Sequence, residues 1–369
     1  MALLTMILCL LLVLSGYSDV VNPNTWVVPS FLGIAFGPLL VLAAVWVIVL
    51  LLTRRWHCLI ALAVALVIVA VPGWRISPLH IAGEAGITQR DDSTAATRLS
   101  VFSYNTCIMG QAHLDNSSKS VPVLDEALAS GADIVCLQEY SYSASKRGHT
   151  LATLQQLMRR VYPHSDFTPY HYNHRSGIAL FSRYPITLAD RIDHRKKGYI
   201  AAMYYQVKAP AGPIGIVNVH LQSNKFSKED RLLYDEMLGH FEADSLQRIR
   251  HGLLRSLAVA WRLRANEADM IASYIHEHHP AEMPLLICGD FNDTPISYAS
   301  YRLRSLGLSD TWAETGLGLG ITYFEHRFWF RIDHILHSSH LRALSMRVRR
   351  DIQYSDHCPI EATFQILPQ

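Results

Sequence analysis

"ICGDFNDTP", residues 287–295, opens with apolar residues, breaks at glycine, and sets Asp290, Asn292 and Asp293 within four positions. Asp and Asn are ordinary turn formers, because their side chains bond nearby backbone and tolerate unusual dihedrals. A sharper reading is that Asp290 and Asn292, two apart where an extended chain leaves a strand, aim oxygen ligands to one side. The rest of the chain decides between the two.

Outward from this turn, short apolar runs alternate with longer helical patterns. Strands are expected near 99–104, 133–138, 177–182, 201–207, 214–220, 284–288, 332–336 and 360–366, each with β-branched or aromatic content. Helices fit 121–130, 150–161, 227–240, 246–278 and 297–305. The pattern is that of a mixed α/β domain, residues 99–369, without an internal repeat or a low-complexity tract. In the helix over 246–264, Ile249, Leu253, Leu257 and Trp261 share one face, and Arg248, Arg255 and Arg262 recur on another. The plainest reading is an amphipathic helix packed on its domain with a solvated basic face.

Residues 1–76 read differently. Three apolar stretches, Ala2 to Leu14, Trp26 to Leu52 and His57 to Val71, predict a membrane anchor of about three transmembrane helices. No Lys or Arg precedes the first, which favours an uncleaved helix over a signal peptide. Arg54 and Arg55 lie between the second and third stretches, and the positive-inside rule places them in the cytoplasm. Residues 77–369 then lie outside, as part of an integral protein of the cytoplasmic membrane. Residues 77–98 mix Gly, Ser, Thr and charges and read as a linker. As a flexible coil its ends would lie roughly 25 Å apart, leaving the domain free to hover near the bilayer.

The chain has 369 residues, 33 Lys and Arg, and 31 Asp and Glu. With Arg54, Arg55, Arg75 and Asp19 assigned to the anchor, the remainder is charge-balanced. A domain that gripped nucleic acid mainly through phosphates would carry a basic excess, so nucleic acid is disfavoured as a partner. The six cysteines show no paired metal spacing and read as small buried hydrophobes.

Polar residues recur where the expected strands end. "LSVFSYN" ends in Asn105, "DIVCLQE" in Glu139 and "IVNVH" in His220; "RIDHIL" holds Asp333, and "SDHCPI" supplies Asp356 and His357. Strand ends facing one crevice are where α/β domains build sites. Each residue alone has an ordinary structural role open to it: a turn, a helix cap, a satisfied core histidine. Together with the "GDFN" turn they form an ordered set.

The order and wording of these motifs resemble the endonuclease/exonuclease/phosphatase superfamily, similar to deoxyribonuclease I, over roughly residues 98–367. The resemblance implies a four-layer α/β sandwich, two facing β-sheets flanked by helices, and a metal-dependent hydrolase of phosphate esters. It implies Glu139 as the principal ligand of Mg2+ or Mn2+, helped by Asn105, with Asp356 and Asp290 serving a second metal position. It makes His357 the base paired with Asp333, with Asp290 the competing candidate, and it gives His220 and Asn292 the non-bridging phosphate oxygens. Magnesium suits such a set, because it takes hard oxygen ligands and keeps several waters.

An anchored, charge-balanced domain favours a phospholipid-like or other small phosphodiester over nucleic acid as substrate. A nuclease, and a non-catalytic scaffold binding a phosphorylated partner, are the rival readings. Segments 108–120, 141–149, 163–175 and 222–250 are the expected specificity loops, with the aromatic and histidine-rich "YHYNHRSG", residues 170–177, a candidate stacking surface. Asn292-Asp293-Thr294 matches a glycosylation acceptor, but a glycan there would block the site; Asn116-Ser117-Ser118 matches as well.

Overall fold

The computed structural model describes residues 1–78, 97–109, 111–117, 119–145, 147–171, 174–193, 199–224, 252–324 and 329–368. Most of the expected linker, the expected helix 227–240, the start of the helix expected at 246 and most of the loop 222–250 lie outside these residues.

Twelve strands form two six-stranded sheets. One runs in the order β11 (Leu341–Val348), β12 (Ile360–Ile366), β1 (Arg98–Asn105), β2 (Ile134–Ser141), β4 (Ser176–Ser182) and β3 (His164–Pro169). The other runs β5 (Ile186–Ile192), β6 (Ala202–Ala209), β7 (Gly212–His220), β8 (Leu285–Asp290), β10 (Asp333–His337) and β9 (Ser309–Asp310). Both sheets are mixed: β1–β2 and β7–β8 pair in parallel, and the remaining pairs are antiparallel.

Period-two alternation sets the layers. Leu99, Val101, Ile134 and Cys136 face Tyr205, Ile216, Cys288 and Ile335 in the core between the sheets. The alternate residues Phe102, Tyr104, Val135 and Leu137 pack under the helices Pro122–Ala129 and Leu151–Met158. Tyr204, Val217, Val219 and Ile287 do the same under the helices Leu253–His278 and Tyr298–Arg304. The result is the expected four-layer sandwich.

All eight strands expected from the sequence are inner strands. The four it missed, β3, β5, β9 and β11, are the edges of the two sheets. β3 lies inside a segment read as a specificity loop, 163–175.

Of the apolar N-terminal segments, Val28–Leu52 is long and apolar enough to cross a membrane by itself. Ala2–Gly16 is shorter, and the third segment is two helices, Trp56–Ile68 and Ala70–Ile76, bent by 61°. Pro72 accounts for the bend: it has no N–H for the Ile68 carbonyl, and that carbonyl accepts the Tyr17 hydroxyl at 2.7 Å instead.

The domain does not hover. Arg304 Nη2 reaches Asp19 Oδ2 at 3.0 Å and Arg75 approaches the same oxygen at 3.6 Å. Arg331 Nη2 donates to the Arg75 carbonyl at 2.6 Å, Asn24 Nδ2 donates to Asn266 Oδ1 at 2.9 Å, and Phe31 meets Trp261 edge-to-face with ring centres 4.7 Å apart. The N-terminal segment is seated on the sandwich by polar and aromatic contacts, with Asp19 buried, that a coil-tethered domain would lack.

Candidate active site

Register brings the site together. His220 pairs with Asp290 across the parallel β7–β8 ladder, and Asp290 pairs with Asp333 across β8–β10, so three polar residues end neighbouring strands at one level. In the other sheet Asn105 is paired with Gln138, the residue before Glu139.

Glu139 would point away from the crevice if β2 continued regularly. The β2–β4 register shifts between Leu137 and Tyr140, and Glu139 sits in the left-handed region at φ 52°. A bulge of this kind re-aims one side chain. The Tyr170 hydroxyl holds the bulge by accepting the Glu139 N–H at 2.8 Å. Tyr170 is buried, so this first aromatic of "YHYNHRSG" supports the site from beneath and is not free to stack on a ligand. Tyr172 and Asn173 lie outside the described residues.

On the opposite sheet Gly289 stands at φ 135° against the Val219 carbonyl, where a Cβ would collide. That close approach explains the glycine of "GDFN". Asn292, also left-handed at φ 52°, closes the turn: its backbone N–H donates to Asp290 Oδ1 at 2.7 Å. Its Nδ2 donates to Asp290 Oδ2 and to the Leu221 carbonyl, both at 3.0 Å. An amide so engaged has no room for a glycan.

Asp290 is the hub. Oδ2 accepts from Asn105 Nδ2 at 2.8 Å, and His220 Nε2 and His357 Nε2 stand 3.6 and 3.8 Å away. Burial pushes its pKa up to about 6, against the lowering pull of the two histidines and Asn105. Asn105 Oδ1 accepts the Cys107 N–H at 3.1 Å, so this side chain bridges turn and carboxylate.

The two histidines are driven in opposite directions. His220 Nδ1 meets the Tyr199 hydroxyl at 3.1 Å, and burial lowers its pKa, leaving a neutral ring. Its Nε2 is buried without a hydrogen-bond partner among the described residues, 3.7 Å from Glu139 Oε1. His357 Nδ1 is hydrogen-bonded to Asp333 Oδ2 at 2.8 Å. Burial alone would depress His357, but the carboxylates of Asp333, Asp290 and Asp356 outweigh it and raise its pKa to about 10. The carboxylates thus bias the ring toward its protonated form.

The sequence brought eight residues to this site, and all eight meet here. Donor atoms of Asp290, Asp333 and His357 lie within 4.8 Å of one another, a group that could itself hold a metal ion. Burial raises the Glu139 pKa, and the nearby Asp356 carboxylate raises it further. These two neighbouring carboxylates, with the Glu139 side chain 28% exposed, form a hard-oxygen donor set that fits a divalent cation.

Several supporting residues were missed. Gln138 Nε2 donates to Asn218 Oδ1 at 2.6 Å, joining the two sheets beneath the site, and Asn218 Nδ2 donates to the Ala179 carbonyl at 3.0 Å. Thr322 Oγ1 accepts the N–H groups of Ile332 and Asp333, both at 3.1 Å, and its carbonyl accepts Cys358 N–H at 2.6 Å, fastening the Asp333 strand to the His357 turn. Arg264, fully buried, bonds Asp293 Oδ2 at 3.1 Å and the Gln222 carbonyl and Asn224 Oδ1 at 2.9 Å, tying the segments that follow Asp290 and His220. A polar residue two places before a strand-end residue was the available signal for Asn218.

The comparison with curated proteins finds no match. Among solved structures the chain is similar to the human Nocturnin catalytic domain with bound sulfate anion, at 21% identity and TM-score 0.50, covering 73% of this chain and 94% of that one. It is also similar to TDP2 of D. rerio complexed with single strand DNA product, at 15% identity and TM-score 0.49 over 73% and 99% of the two chains. An endonuclease/exonuclease/phosphatase from Beutenbergia cavernae matches at 17% identity and TM-score 0.49 over 73% and 72%. At these identities the likeness bears on the fold alone. The profile of a domain of unknown function (DUF8431) matches residues 1–72. That of the Endonuclease/Exonuclease/phosphatase family matches residues 112–357, from the first turn after β1 to the paired histidine, and the chain therefore belongs to this family of phosphoester hydrolases.

Proposed function

We propose that this protein is a membrane-anchored, magnesium-dependent phosphoesterase whose catalytic domain lies outside the cytoplasm, and that its substrate is a phospholipid-like or other small phosphodiester. The observation that carries the hydrolytic reading is the buried, unpartnered Nε2 of His220, held between Glu139 and Asp290 opposite a charged His357. A buried polar atom left unpaired is costly, and a phosphoryl oxygen would satisfy it.

Glu139 and Asp356 would hold Mg2+ or Mn2+, which when bound polarises a phosphoryl oxygen and neutralises the leaving oxygen. His357, kept protonated by Asp333, donates to a non-bridging oxygen where negative charge develops. His220 contacts another. Asp290, ionised above about pH 6, orients the attacking water and takes its proton. Asn105 and Asn292 fix the Asp290 carboxylate. The expected division of labour is thereby reversed, because a histidine already carrying its proton is a poor base.

The seating of the N-terminal segment supports the topology. Contacts to the sandwich come from residues 19–31 and 74–78, at the end of the helices away from Arg54 and Arg55. With those arginines in the cytoplasm, the domain sits on the other side. Purified full chain given magnesium and bis(p-nitrophenyl) phosphate tests the activity: turnover abolished by EDTA is expected, and turnover indifferent to EDTA would remove the metal from the mechanism.

A further inference from the structure

The segment of residues 316–324 joins two places that matter. Its C-terminal part touches the site: Tyr323 forms a β-bridge with His357 and packs its ring 5.0 Å from the imidazole. Its N-terminal part touches the end of the bent helix pair. Gly318 N–H donates to the Pro78 carbonyl at 2.8 Å, and the Trp74 indole N–H donates to the Ala313 carbonyl at 2.8 Å. Flanking Gly318, Leu317 and Leu319 are 56% and 52% exposed beside a Trp74 that is itself 42% exposed.

Two leucines and a tryptophan gathered where an apolar helix ends have the composition of a membrane interface, where indole sits at headgroup level and aliphatic side chains enter the acyl boundary. Exposed leucines scattered singly need no explanation, but these flank Gly318, whose N–H is hydrogen-bonded to the Pro78 carbonyl just past the end of Ala70–Ile76.

We infer that Leu317 and Leu319 form a rim inserted in the outer surface of the bilayer, holding the crevice over lipid headgroups so that the substrate is a bilayer-resident phosphoester. This rests on the anchored-phosphoesterase reading. The same seven-residue path that ends at His357 then begins in lipid, and the crevice meets headgroups without a substrate leaving the membrane.

The test uses the full chain in vesicles of phosphatidylcholine and phosphatidylglycerol. With Leu319 replaced by benzoylphenylalanine, photolysis should attach labelled lipid to the chain, and the same residue at Lys208, on the end of β6 away from His220, should not. Absence of lipid adducts at 319 from chain that floats with the vesicles would overturn the rim and leave the phosphoesterase reading intact. In parallel, Leu317→Asp with Leu319→Asp should keep hydrolysis of bis(p-nitrophenyl) phosphate within twofold while vesicle phospholipid hydrolysis falls at least tenfold. An equal loss on both substrates, or no loss on either, counts against the rim. Wild-type chain that cuts neither substrate defeats the phosphoesterase reading, and the adducts alone then decide the rim.

Discussion

His357 Nδ1 lies 2.8 Å from Asp333 Oδ2, inside a shell of carboxylates that raises the imidazole pKa to about 10. In the proposed mechanism the pair acts as one charged donor. His357→Ala should lower turnover by roughly 10² to 10⁴, the usual scale for a group that moves or donates a proton in the transition state. Asp333→Asn should be severe as well, and the double variant little worse than His357→Ala, because residues acting as a unit are not additive. Single effects that multiply in a folded double variant would break the pair. Asp290→Asn should abolish activity at least as thoroughly; a mild loss there would return the proton transfer to His357.

The same shell sets the pH dependence of the metal-free protein. A histidine whose folded pKa stands above its ordinary 6.5 binds its proton more tightly when folded, so its contribution is complete below about pH 6.5 and fades toward about pH 10. Asp290, raised from 3.8 to about 6, follows the same sign: its contribution is complete below about pH 3.8 and gone above about 6. In EDTA the thermal midpoint should decline from pH 6.5 to 10, and Asp333→Asn should flatten the decline by removing the carboxylate that holds the proton. A midpoint that rises across this window contradicts the assignment of charge.

Glu139 is placed by a backbone conformation that is uncommon for a non-glycine residue, φ 52°. A side chain turned out of the regular strand pattern toward Asp356 suits the metal-ligand role proposed for it. Glu139→Gln keeps the shape and removes the charge, so a magnesium titration of activity should shift to higher concentration. Thermal stability without metal should stay level or rise as repulsion with Asp356 is relieved. An unchanged titration transfers the main ligand role to Asp290 or Asp356.

What was legible in the sequence follows burial. The eight inner strands carry apolar runs because both faces are covered, by the facing sheet and by helices. The four edge strands carry little such signal: β5 reads "ITLADRI" and is largely exposed, β11 reads "LRALSMRV" with Arg342, Ser345 and Arg347 interrupting its apolar residues, and β9 is two residues long. The site residues were legible because strand ends concentrate them. Their supports were not, since Tyr170, Tyr199, Arg264 and Thr322 act through contacts between segments remote in sequence. The docking of the N-terminal helices was hidden for the same reason: Asp19 and Arg304 are 285 residues apart in sequence.

Arg264 and Asp293 form a pair with 1% and 6% of each side chain exposed. Breaking such a pair by removing one partner costs about 3–5 kcal/mol, because the remaining charge stays buried alone. Arg264→Met should therefore destabilise the domain strongly, and adding Asp293→Asn should recover part of the loss. Activity should fall in the surviving fraction too, since Arg264 also holds Gln222 and Asn224 beyond His220. Equal stability of the single and double variants would mean that the guanidinium acts only by its bulk.

The topology is the remaining test, and the geometry sharpens it. Arg54 and Arg55 cap the connection between Val28–Leu52 and Trp56–Ile68, whereas Asp19, Asn24, Trp74 and Arg75 at the opposite ends of these helices bond the sandwich. If arginines are retained in the cytoplasm, the sandwich must lie outside, and no rearrangement of residues 79–96 can carry it across without breaking the buried Asp19–Arg304 pair. A reporter active only in the cytoplasm, fused after Gln369, should stay silent, and one active only outside should respond. Replacing Arg54 and Arg55 with glutamine should blur this orientation without changing the activity of chains that insert correctly. A strong cytoplasmic signal from the wild-type fusion would place the crevice among soluble nucleotides and nucleic acids, and the lipid substrate would fall with the orientation.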